Sequence, residues 1–226
     1  MYTKEELQSF IEENSDEEYR KFHSRLTRSK YFLNGVRVPV LRAYGKTLAK
    51  RDDVTDFLQS KSECYEAVML KGIALSYILK KGEDNFDLLE DFLLEIDDWA
   101  VCDVSCGGLK RKDPFYFNKC ISYAKSQHIW TARWGIVAFM TNFCDRTEEL
   151  RQIAYNIVAK DYYIDMALAW LIQVLCVKNR EVAEELLASE KISDTVKKMA
   201  VRKIKDSFRI SEQDKKYFAV LTLKTV

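Results

Sequence analysis

The chain has 226 residues, of which only seven are glycine and two are proline. It is long enough for one domain and poor in the residues that build hairpin turns, which favours an all-helical protein. No apolar run reaches the roughly 20 residues of a membrane span, and the opening Met-Tyr-Thr-Lys-Glu-Glu is too charged for a secretion signal, so a cytoplasmic protein is expected. The net charge of +1 hides segregation: Arg20 to Arg51 holds ten Lys/Arg and no acid, Glu83 to Asp103 nine acids and no base, and Lys191 to Lys205 six bases against Asp194.

Capping boxes at Thr3-x-x-Glu6 and Ser15-x-x-Glu18 predict two helices within the first thirty residues. Asn34-Gly35 breaks the chain, and Pro39 suits the first turn of a helix running to about Arg51. Apolar residues recurring at three and four, such as Val68, Ile73, Leu75, Ile78 and Leu79, then predict helices over 53–60, 63–80, 84–94, 97–107, 114–126, 129–143 and 147–159. The same pattern continues over 162–177, 180–189, 193–206 and 212–222. Short polar breaks separate them, and no linker or low-complexity segment divides the chain. The reading is a single all-α domain over 1–226, a superhelical, solenoid-like stack of antiparallel helix pairs. The six cysteines are scattered through apolar helical patterns and read as reduced packing thiols. Cys102 and Cys106 have a spacing that could serve a metal, but no histidine or further cysteine pair completes a site, so no metal is expected.

Chemistry-bearing residues stand out against this background. Trp99 and Asp103 lie four apart, on one helical face. Arg133 and Trp170 follow at successive intervals of 34 and 37 residues, roughly one helical-hairpin repeat each. Stacked repeats would bring two aromatic faces, a carboxylate and a guanidinium to one groove, a combination suited to a cationic substrate on a phosphate backbone. Each residue also has a plainer reading. The tryptophans suit a core, Asp103 a surface carboxylate, Arg133 a helix-surface ion pair, and the basic stretches solvated faces.

Four motifs in order support the sharper reading. Lys30-Tyr-Phe-Leu-Asn-Gly-Val-Arg-Val-Pro-Val-Leu-Arg42, Asp97-Asp-Trp-Ala-Val-Cys-Asp103, Trp130-Thr-Ala-Arg-Trp-Gly-Ile-Val137 and Asp161-Tyr-Tyr-Ile-Asp-Met-Ala-Leu-Ala-Trp170 are spread over residues 30–170. Together they resemble the DNA alkylation-repair glycosylases of the AlkD type. The resemblance implies HEAT-like repeats and a monomer acting on double-stranded DNA that contains alkylated bases, without a cofactor. It also implies hydrolysis of the N-glycosidic bond of N3- or N7-alkylated purines, whose positive charge already makes the base a good leaving group. Asp103 is then the carboxylate that stabilises oxocarbenium character and orients water. Trp99 and Trp170 offer π faces to the cationic nucleoside, while Trp130 and Trp134 are assigned to packing.

By the same resemblance Arg133 contacts a phosphate beside the lesion. Arg37 occupies the loop before Pro39, where the family places a polar residue against the opposite strand. Arg42, Lys46 and Lys50 line one helix face as backbone contacts. The family holds its lesion against the groove without a dedicated base pocket. One departure stands out: where the family often has Leu-Arg-Glu after the last tryptophan, this chain has Leu171-Ile172-Gln173. A non-catalytic helical scaffold binding DNA or a protein is the alternative reading.

Overall fold

The computed structural model describes residues 3–82, 85–110, 113–157 and 161–223. Among these, all regular structure is helical except one antiparallel bridge between Ser15 and Val36. The chain is all-helical and built of packed helix pairs, as its periodicity predicts, and divides into two compact units, Met1–Lys110 and Arg111–Val226. No helix among the described residues is long and apolar enough to cross a membrane.

The first unit contains α1 (Lys4–Asn14), α2 (Glu17–His23), α3 (Val38–Leu48), α4 (Val54–Gln59), α5 (Tyr65–Ile78), α6 (Phe86–Glu95) and α7 (Trp99–Val104). Helices α3, α5 and α7 pack as one row, with α4 and α6 paired beside them. The sequence of α5 is apolar on all sides, so it sits in the middle, with Val68, Leu70, Ile73 and Leu75 fully buried. The first capping prediction holds: Thr3 accepts from the Glu6 N–H at 3.1 Å. The second shifts by one residue. Asp16 caps α2 by accepting from the Tyr19 N–H at 2.9 Å, because Ser15 is occupied closing α1 through Ile11 and bridging to Val36.

The second unit contains α8 (Pro114–Ala124), α9 (Ile129–Asn142), α10 (Thr147–Asn156), α11 (Tyr162–Lys178), α12 (Arg180–Ala188), α13 (Asp194–Asp206) and α14 (Glu212–Leu223). Helices α9, α11 and α13 form one row and α10, α12 and α14 a second, with α8 closing against α9. That two-row alternation is the packing expected of helical repeats.

Helix boundaries depart from the periodicity where capping or a turn intervenes. The predicted 97–107 helix shrinks to α7, because Asp98 caps its start and its last turn closes at Ser105; Gly108, further on, turns the chain at φ +84°. Position 84 of one predicted helix and 158–159 of another lie outside the described residues.

Candidate active site

With only six residues, α7 is too short to hold itself by backbone bonds, and the structure clamps its first turn instead. The Asp98 carboxylate is almost fully buried. It accepts from the Ala100 N–H at 2.9 Å, from the Tyr65 hydroxyl at 3.0 Å and from the Thr27 hydroxyl at 2.7 Å. Burial, together with the neighbouring Asp98, pushes the Tyr65 pKa far above its usual value, so the phenol stays protonated and remains a donor. Asp97 braces the preceding loop by accepting from the Ser29 hydroxyl at 2.8 Å and the Lys30 N–H at 2.7 Å.

The clamp orients the two candidate residues of this helix. Trp99, its first residue, is 41% exposed. Asp103, one turn on and on the same face, is half-buried. Val101, Cys102 and Val104 are buried on the other side. Close approach of α7 to α5 requires Gly72, where an added Cβ would stand 3.1 Å from a Val104 methyl and 3.2 Å from the Val101 carbonyl.

The basic residues of this unit divide into engaged and disengaged ones. Arg42 and Lys46 lie exposed on α3 at helical spacing, with Lys50 exposed just beyond it, and none is in an ion pair among the described residues. Arg37 precedes α3. Its guanidinium pairs with Asp16 at 2.7 Å and lies 4.9 Å from the centre of the Tyr19 ring. The loop carrying it is fixed by Glu66, which is fully buried on α5. Glu66 accepts from the backbone N–H groups of Asn34 at 2.9 Å, Gly35 at 2.8 Å and Val36 at 3.3 Å, and from the Asn34 amide at 2.9 Å. Gly35 makes that turn at φ +94°.

In the second unit the candidate residues fall on the row of α9, α11 and α13. Arg133 on α9 is only 5% exposed, and its Nη1 donates to the Tyr163 carbonyl at 2.8 Å, bracing α9 against the first turn of α11. Trp170 is half-buried on α11, and the Lys203 ammonium of α13 lies 5.8 Å from its ring centre. Gln173, one turn further along α11, donates to the Ser207 hydroxyl at 3.2 Å and so ties α11 to the end of α13. Trp134 is fully buried and meets Tyr123 edge-on at 5.6 Å. Trp130 is half-buried with its ring 4.7 Å from that of Tyr163.

Trp99 and Asp103 thus share one helix of the first unit, while Arg133 and Trp170 occupy neighbouring helices of the second. Sequence reasoning missed the supporting groups. Of the two aspartates ahead of Trp99, Asp98 caps α7 and Asp97 does not. Tyr65, Thr27 and Glu66 gave no motif; the one available signal for Glu66 was a carboxylate at the head of a long apolar run.

Comparison with known proteins bears on the assignment. No curated protein and no solved structure matches the chain. The family described as DNA alkylation repair enzyme does match, over residues 3–204, a span that includes all four motifs. With that span covered, the chain belongs to the DNA alkylation repair enzyme family.

Proposed function

We propose that this protein is a monofunctional DNA glycosylase that releases positively charged N3- and N7-alkylpurines from double-stranded DNA and leaves an abasic site. The observation that carries the reading is the clamped helix α7, which presents Trp99 to solvent and Asp103 one turn behind it on the same face.

The chemistry follows from the substrate's charge. As the bond from C1′ to the base nitrogen breaks, its electron pair neutralises the alkylated base, which departs without a proton donor. Positive charge moves to the sugar as an oxocarbenium ion. Asp103 stabilises that charge and orients water, whose oxygen bonds to C1′ as its proton passes to solvent water. Trp99 and Trp170 offer π faces to the cationic base, each interaction worth about 1–2 kcal/mol when desolvated. In support of the Trp170 assignment, its ring already faces the Lys203 ammonium; the purine cation would take that place. Arg133 is assigned to a phosphate beside the lesion, its bond to Tyr163 fixing the guanidinium plane. Arg42, Lys46 and Lys50, with Arg37, are assigned to backbone contacts elsewhere on the duplex. The protein acts as a monomer without cofactor or metal, in the cytoplasm.

The second reading is a helical DNA-binding scaffold without excision. The burial of Arg133 and the engagement of Gln173 with Ser207 favour it. Replacing Asp103 separates the two. The Asp103→Asn variant keeps shape and loses charge, so single-turnover release of 7-methylguanine is expected to fall at least about tenfold with DNA affinity unchanged. Equal rates in variant and parent would remove Asp103 from the mechanism.

A further inference from the structure

One surface feature is not used by the proposed chemistry. The segment from Arg20 to Phe32 carries five Lys/Arg residues and no acid, yet it also exposes Phe22, Leu26 and Phe32. Exposed rings and cations are interleaved here. A cleft of about 330 Å³ opens between the end of α2 and the following loop, lined by Arg20, Lys21, Ser24, Thr27, Tyr31 and Phe32.

The cleft is built on a fixed frame. The Phe32 carbonyl accepts from the Tyr65 N–H at 2.9 Å, anchoring the backbone that presents a ring 63% exposed. The Arg20 guanidinium stands 5.8 Å from that ring's centre and is steered by both oxygens of Glu17, at 2.6 and 2.8 Å. Lys30 lies 5.1 Å from the Tyr31 ring centre, and its own N–H is held by Asp97. Arg25 and Arg28 are exposed in the same segment and form no ion pair among the described residues. Thr27 and Ser29 are bonded to Asp98 and Asp97, the two residues immediately ahead of Trp99.

An exposed aromatic face beside a guanidinium, with Lys21 resting on the Glu17 carboxylate at 3.6 Å and Arg25 and Arg28 in no ion pair in the same segment, matches the chemistry of a nucleotide: base to ring, phosphate to cations. Bases within a duplex have their faces covered by their neighbours, so only an unpaired base can stack there. We propose that this cleft binds an unpaired nucleotide of single-stranded or locally opened DNA, with the base on Phe32 beside Arg20 and the phosphates on Lys21, Lys30 and the neighbouring arginines. The site requires no base excision and stands whether or not Asp103 is catalytic.

Fluorescence anisotropy with an oligothymidine of about ten nucleotides tests it, because this probe spans one binding site and contains no purine to excise. The parent chain is expected to bind with an affinity that falls as salt rises. Phe32→Ala should weaken binding about tenfold, and Phe32→Trp should restore it. Lys21→Gln combined with Arg28→Gln should weaken binding and flatten its salt dependence. Since Phe32 is exposed, an unchanged melting temperature will show that the Ala variant is folded. Parent-like oligothymidine affinity in Phe32→Ala would overturn the proposal. So would binding of the parent to phosphatidylglycerol vesicles but not to the oligonucleotide, which would make this a membrane-facing surface.

Discussion

Trp99 and Trp134 are the same residue type in opposite environments, and the contrast separates a site from a core. Trp99 leads a helix with a large part of its ring in solvent, whereas Trp134 has none exposed and packs against Tyr123. Replacing Trp99 with Leu removes a π face and little packing, so stability should change by less than about 1 kcal/mol. Excision per folded molecule should nevertheless fall. Trp134→Leu should cost about 2–4 kcal/mol of stability through the cavity it leaves, with excision per folded molecule preserved. Thermal melting and single-turnover excision on both variants check this. A large stability loss in Trp99→Leu with unchanged excision would mark Trp99 as a packing residue.

At the scale of elements, the loop from Asn34 to Arg37 and the start of α3 depend on one buried carboxylate. Glu66 receives three backbone N–H groups and one side-chain amide, and both of its carboxyl oxygens act as acceptors. Glu66→Gln puts an amide donor against N–H groups, and a loss of about 1–3 kcal/mol is expected. Urea unfolding measures it; hydrogen exchange at Gly35 and Val36 should accelerate more than exchange within α9. A Gln variant as stable as the parent would show that the loop is held by other groups.

The helices themselves were legible from their apolar patterns, since α5 and α9 are long and bury most of what they carry, and α11 buries an apolar stripe from Ile164 to Leu175. Their junctions were not. Whether Ser15 or Asp16 caps α2 depends on a bridge to Val36, twenty-one residues away. The shortening of α7 at its start depends on Asp98, which is claimed at once by Thr27, Tyr65 and Ala100. Such long-range polar partners leave no local pattern. The candidate site was readable as spacing, with Trp99 and Asp103 falling on one helical face. Spacing could not report that Arg133 would be buried against Tyr163 or that Gln173 would hold Ser207.

Across the whole chain, each of the two compact units contains a basic stretch. The Arg20–Arg51 stretch belongs to the first unit and the Lys191–Lys205 stretch to the second, while the acids from Glu83 to Asp103 belong to the first. Each unit therefore carries cations able to meet phosphate, which accords with membership of a DNA repair family whose match runs across both. What membership leaves to chemistry is the reaction, and release of base is its direct signature. Duplex DNA methylated at purine nitrogens, incubated with the full chain, should yield free 3-methyladenine and 7-methylguanine by mass spectrometry. Abasic sites should appear in equal number, with no strand cleavage by the protein. Base release no faster than spontaneous depurination in the absence of protein would contradict the glycosylase assignment.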